Sequence, residues 1–422
     1  MLYARKIKED FPWFSSETGK KNIYADSAAT THKPKSVLDT MNALYTEYYA
    51  AVNRTSHESG EIFSEMYYDA HRRMASFIGA ESADEIIFTR NCTDAINHAA
   101  NALLRTTEPA IAIGKGDRII CTIMEHHSNM LPWQQLAQLT GAEIVYAGLY
   151  PDRTIDIDHF KSLINGRTRI AAFSHVSNVL GTVNHVAQLC SICRDAGVLT
   201  LIDGTQAAPH MRVNVSEIGC DFYAFSGHKM LAPSGTGVLW GRTALLEKLA
   251  PSFYGGGMIS SVTTQGASWN SPPWKFEPGT PDACGAIALA GSEANGRRLY
   301  GAVDYLEAAG MDAVLSHEKK LSAYTRKLLA EIEGVEFLCT EAHSGITAFR
   351  MAKKGREENS HIVGTLLNEM NIIARTGGHC AYPLHQYLDI NDSGSIRLSY
   401  YIYNDKSDVE AICSALGSIN LL

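Results

Sequence analysis

Seven short apolar runs mark the first 241 residues: EIIFTR (85–90), RIICTIM (118–124), EIVYAG (143–148), TRIAAFSHV (168–176), VLTLIDG (198–204), FYAFSG (222–227) and GVLWG (237–241). They are nearly continuous in hydrophobicity, as expected of strands buried on both faces, and helical patterns lie between many of them. This rhythm predicts an α/β fold built on a large, mainly parallel sheet. After about residue 295 it changes: GRRLYGAVDYLEAAG and LSHEKKLSAYTRKLLAEIEG read as long helices, followed by short strands and a last helix. The expectation is a large domain over 20–295 and a smaller α+β domain from 1–19 and 296–422.

Open parallel sheets bind ligands beyond the carboxyl ends of their strands, so the polar residues that end the runs carry the chemistry. EIIFTR leads into NCTDAIN, where Thr93 and Asp94 can open a helix whose free N–H groups would hold an anion such as phosphate. A simple N-cap fits that stretch equally well. RIICTIM leads into EHHSN and puts His126 and His127 at a strand end, facing opposite ways. VLTLIDG ends in Asp203, a carboxylate that is costly to bury without a cationic partner. FYAFSG runs on into His228 and Lys229. A lone lysine there would extend to solvent. Together with an acid, a histidine and a phosphate cradle it matches pyridoxal phosphate, which needs a lysine for its Schiff base, an acid beside its ring nitrogen and donors for its phosphate.

Composition narrows the setting. The 422 residues carry 37 Lys plus Arg against 45 Asp plus Glu, a net charge of −8 without a basic block, so nucleic acid is not expected as a partner. The opening MLYARKIKEDFPWF lacks the apolar stretch of a signal peptide, and no later run has the length of a membrane span. A cytoplasmic protein, not attached to a membrane, is expected. Nine cysteines without a repeating spacing suit reduced thiols. Cys190 and Cys193 form a CxxC in a helical stretch, and with no second CxxC or spaced His pair they read as packed thiols; no metal site is expected.

The segments DSAATTHKP (26–34), MEHHSNMLPW (124–133), HVSNVLGT (175–182), LIDGTQA (201–207), DFYAFSGHKM (221–230), FEPGTPD (276–282) and RTGGHCAYPL (375–384) resemble, in order, those of the class V aminotransferase superfamily. Within it they most resemble the group II, SUF-type cysteine desulfurases and selenocysteine lyases. The resemblance implies a fold-type I pyridoxal phosphate enzyme and assigns roles to residues. Lys229 would form the Schiff base, Asp203 pair with the pyridinium nitrogen, His126 stack on the ring, and Gln206 touch the phenolic oxygen. Asn178 would lie by the substrate. Thr93, Ser226 and His228 match phosphate binders, and Thr280 matches one supplied across a homodimer. Arg397 matches the arginine that grips the substrate carboxylate, a planar fork suited to bidentate binding, and Arg54 and Arg375 match other active-site arginines. Three positions depart from the pattern: Cys92 for a frequent Thr, Asn53 for a frequent His, and Gly378 for the first His of RxGHHCA.

Cys380 sits among glycines, an arginine and a histidine rather than in an apolar run. Arg375 and His379 could lower its pKa, and the glycines could let its loop move over the cofactor. Its alternative fate is that of a packed thiol. The implied activity converts L-cysteine to L-alanine with a persulfide on Cys380, which a sulfur-carrier or iron–sulfur scaffold protein would collect; L-selenocysteine is the alternative substrate. The same residues are compatible with a selenocysteine lyase, another class V enzyme, or a thiol redox sensor with a vestigial cofactor pocket.

Overall fold

The computed structural model describes residues 2–53, 55–353, 356–390 and 392–421. Seven strands form its large sheet: β1 (Ile86–Thr89), β2 (Arg118–Thr122), β3 (Glu143–Ala147), β4 (Thr168–Ser174), β5 (Leu199–Asp203), β6 (Phe222–Ser226) and β7 (Gly237–Gly241). Their order across the sheet is β1-β7-β6-β5-β4-β2-β3. All pairs are parallel except those that β7 makes with β1 and β6, so six strands run in one sense and share one carboxyl edge. Both faces are buried, as the apolar runs require. In β4, Ile170 and Ala172 join one core while Ala171 and Phe173 join the other, and β6 divides Phe222 and Ala224 from Tyr223 and Phe225 in the same way.

A smaller antiparallel sheet follows, from β8 (Val335–Phe337), β9 (Ile346–Lys353), β10 (Arg375–Gly377) and β11 (Ser395–Ser399), in the order β8-β9-β11-β10. It packs its own apolar cluster, including Phe349, Ile396, Leu398 and Leu416. The chain start returns here: Ile23 and Tyr24 pair in parallel with Ile372 and Ile373, and Asp26 bridges Ser399.

Two expectations change. The stretch GRRLY is not helical: Arg297–Leu299 pairs with Ser292–Ala294 as a hairpin, and the helix begins only at Ala302. Asn295 and Gly296 at the tip have φ of 51° and 73°, a turn that breaks any helix there. His126 and His127 lie on no strand, because β2 ends at Thr122, whose hydroxyl turns to the Glu125 carboxylate. Cys190 and Cys193 lie on a helix spanning Val186–Asp195 and are buried in the apolar core. Among the described residues no helix is long and apolar enough to cross a membrane.

Candidate active site

The carboxyl edge of the large sheet opens into a cavity of about 480 Å³, within the range of small-molecule sites. Its lining brings together Thr93, His126, Asn178, Asp203, Gln206, Ser226, His228, Lys229, Arg375, Cys380 and Arg397. Thr280 lines a neighbouring cleft of about 370 Å³, which adjoins the first through Arg90 and Gly235. Arg54 lies outside the described residues.

Asn91 caps a helix over Cys92–Arg105, its side chain accepting from the Asp94 N–H at 2.9 Å, so the positive end of the helix faces the cavity with Thr93 in its first turn. The Cys92 N–H donates to Ser226 Oγ at 2.8 Å. The Cys92 thiol is directed elsewhere: it donates to Asp203 Oδ1 at 3.4 Å, and burial holds it well above the usual thiol range, so it stays protonated. The Thr205 N–H adds a second bond to the same oxygen at 2.9 Å. Among the described residues Asp203 has no salt bridge.

Lys229 follows β6 on a short 3₁₀ turn. Burial, then the positive charge of Arg397, lowers its pKa to about 8, and among the described residues its ammonium has no hydrogen-bond partner. The turn is fixed by the preceding carbonyl: His228 O accepts from the Thr31 N–H at 3.1 Å, the Thr31 hydroxyl at 3.1 Å and Lys33 Nζ at 3.0 Å. His126 has its pKa pushed down to about 4, first by burial and then by Lys229. Its Nδ1 accepts from the Ser128 N–H at 3.1 Å, which leaves a neutral ring. Beneath it, Glu125 is fully buried and raised to about 7 by burial, against the opposing pull of bonds from Ser174, Thr122 and Asn129.

Of the nine cysteines, Cys380 is exposed and the other eight are buried. It follows β10 with His379 in a left-handed pair, φ 48° and 54°. Four bonds hold this turn: the His127 N–H to Cys380 O at 2.7 Å, Asn178 Nδ2 to His379 O at 2.9 Å, the Ala381 N–H to Gly378 O at 2.8 Å, and the Tyr382 N–H to His127 Nε2 at 3.2 Å. The glycines therefore serve shape: Gly377 has φ 106°, and a Cβ on Gly378 would lie 2.5 Å from the Tyr382 ring, which stacks on His127. His379 is not a cation for the thiol. It is buried, its Nε2 faces Ser395 O at 3.2 Å, and burial followed by the charge of Arg397 holds it well below the usual histidine range, hence neutral.

Arg397 donates through Nη1 to Asn178 O at 2.9 Å and through Nη2 to Asp26 Oδ1 at 3.1 Å, while its buried Nε has no partner. Gln206 donates to Ala28 O at 2.7 Å and leaves a buried, unpartnered Oε1; Thr205 Oγ1 is likewise buried and unpartnered. Asp26 is the residue that motif reading passed over. It lies in DSAATTHKP, and the signal available was its charge at the end of a short apolar run, Ile23, Tyr24 and Ala25.

The aminotransferase class-V family model matches residues 23–412. The chain belongs to this family. A probable cysteine desulfurase of Halalkalibacterium halodurans is 41% identical over 98% of this chain and 97% of its own length, and the cysteine desulfurase of Haloferax volcanii is 37% identical over 94% and 89%. Among solved structures, the cysteine desulfurase CsdA of Escherichia coli superposes with a TM-score of 0.87 at 32% identity over 100% of this chain and 99% of that one. The apo cysteine desulfurase of Thermococcus onnurineus gives 0.89 at 32% over 99% and 98%. This class-V chain thus shares its fold with those enzymes along its whole length.

Proposed function

We propose that the protein is a pyridoxal-phosphate-dependent cysteine desulfurase that converts L-cysteine to L-alanine and takes the sulfur onto Cys380. The observation that carries this reading is that the one exposed cysteine opens into the same cavity as Lys229, Asp203 and Arg397. The donor set fits the cofactor. Among the described residues Asp203 is a buried acid without a salt bridge, suited to a ring N–H⁺; a helix N-terminus with Thr93, Ser226 and His228 suits a phosphate; and Gln206 Oε1, Thr205 Oγ1 and Arg397 Nε, unpartnered among those residues, are buried polar atoms that a ligand would relieve.

When bound, the cofactor supplies an electron-withdrawing ring joined to the substrate nitrogen, which makes the Cα proton removable and the substrate sulfur open to attack. The chain's residues do the rest. Arg397 binds the substrate carboxylate, and Asn178 stands beside it. Lys229 would hold the cofactor before substrate arrives; with its pKa near 8 it then has a neutral amine in useful fraction to take the Cα proton and return it. His126, neutral, would offer the ring an apolar face without adding charge beside Lys229. The Cys380 thiolate attacks the substrate sulfur, the Cβ–S bond breaks, and a proton replaces sulfur on carbon. Atoms balance as L-cysteine plus Cys380 thiol giving L-alanine plus Cys380 persulfide. A sulfur-carrier or iron–sulfur scaffold protein would collect the persulfide sulfur.

Release of L-alanine from L-cysteine by the cofactor-loaded protein tests the reading, and Asp203→Asn sharpens it. An amide of nearly the same shape keeps the packing but not the charge, so turnover is expected to fall by roughly two orders of magnitude with little change in melting temperature. Unchanged turnover would place the ring nitrogen's partner elsewhere.

The reading also includes a homodimer with composite sites. Thr280 faces the adjoining cleft rather than its own chain's Lys229, so Thr280, with Arg54, would serve the other subunit's cofactor. Sedimentation of the active enzyme is expected to show a dimer; an active monomer contradicts this. The division into 20–295 and 1–19 with 296–422 belongs to the same proposal.

A further inference from the structure

The two cavity arginines are direct cross-strand neighbours: Arg375 on β10 is opposite Arg397 on β11. Like charges in that relation repel. Asp26 resolves the conflict from 371 residues away in sequence. Its backbone bridges Ser399, two residues past Arg397, and its carboxylate divides between them, Oδ1 taking Arg397 Nη2 and Oδ2 taking Arg375 Nε, both at 3.1 Å. Arg397 and Asp26 are buried, with side-chain exposures of 3% and 12%, so this pairing is little screened by water.

We propose that Asp26 is the positioning residue for the substrate carboxylate: it locks the Arg397 guanidinium in the cavity wall and cancels one of the two charges. Bonds to Asp26 on Nη2 and to Asn178 O on Nη1 fix the plane of the fork from two sides. The guanidinium, which lines the cavity and, among the described residues, keeps one buried N–H unpartnered, is then held in a fixed plane before any ligand binds. Held this way, Arg375, Asp26 and Arg397 together meet an amino acid carboxylate with one net positive charge, and a neutral amide in its place gains far less. The inference rests on the desulfurase reading, in which Arg397 receives the substrate carboxylate.

The test compares binding of L-alanine and L-alaninamide to the cofactor-loaded enzyme, with KM and kcat for L-cysteine measured alongside. Wild-type enzyme is expected to prefer L-alanine strongly. Asp26→Asn leaves both arginine charges uncancelled, which by charge alone would favour the anion, so a fall in preference reports a misplaced fork; the preference is expected to fall about tenfold or more and KM to rise similarly, with kcat nearly kept. A merely structural loss weakens both ligands alike, and loss of charge without loss of position raises the preference, so an unchanged or raised ratio overturns the proposal. If the Asn variant does not fold, Asp26→Glu gives the same readout: a carboxylate displaced by one methylene lowers the ratio, and a wild-type ratio overturns the proposal. Wild-type enzyme that releases no alanine from cysteine refutes the desulfurase reading instead, which keeps the two failures distinct.

Discussion

Lys229→Ala is expected to abolish alanine release from L-cysteine, by on the order of 10³-fold or more, since one side chain is both the cofactor's anchor and the proton carrier. No neighbour can take its place. Lys33, the lysine bonded to the same turn, has its Nζ on His228 O and on Thr31 O and is not part of the cavity lining. Burial and Arg397 together bring Lys229 to a pKa of about 8, and that environment belongs to its position at the end of β6. Borohydride reduction provides an independent check, as it should fix the cofactor to wild-type protein and not to the variant. A variant that keeps turnover or is still labelled would show that another amine does the work.

Cys380→Ala should have an equally large effect on cysteine and a smaller one on selenocysteine. The cofactor's absorption is expected to persist, because Lys229, Asp203 and the phosphate donors are untouched. Desulfuration of L-cysteine should fall by on the order of 10³-fold or more, because the nucleophile is gone and none of the eight remaining thiols is exposed. Selenium leaves more readily and its acid is already ionised near neutral pH, so L-selenocysteine is expected to retain measurable turnover. Alanine released from cysteine at the wild-type rate by this variant would contradict the assignment.

The large sheet was legible because its strands are buried on both faces, and a run such as TRIAAFSHV has few other ways to fold. The hairpin at 292–299 was not, since RRLYGAVDYL has a passable helical pattern and only the Asn295–Gly296 tip, with both residues at positive φ, turns the chain back. Strand ends located Asp203, Ser226 and Lys229 because sheet topology puts polar endings on one edge. Asp26 also ends a short apolar run, but its importance comes from bonds to Arg375 and Arg397 made across almost the full length of the chain, and sequence carries no sign of that pairing. Gly378 shows the same limit. Its place beside Cys380 could be read as a lost histidine, yet the space is filled by the Tyr382 ring, so a larger residue there has no room without moving an aromatic stack.

The most direct measurement of the central claim is the mass of the Cys380 peptide after wild-type enzyme turns over L-cysteine without added reductant. The account predicts a gain of one sulfur atom on that peptide, reversed by a thiol, with the buried Cys190 and Cys193 peptide unchanged. Sulfur found on Cys190 or Cys193, or alanine released while Cys380 stays unmodified, would contradict it.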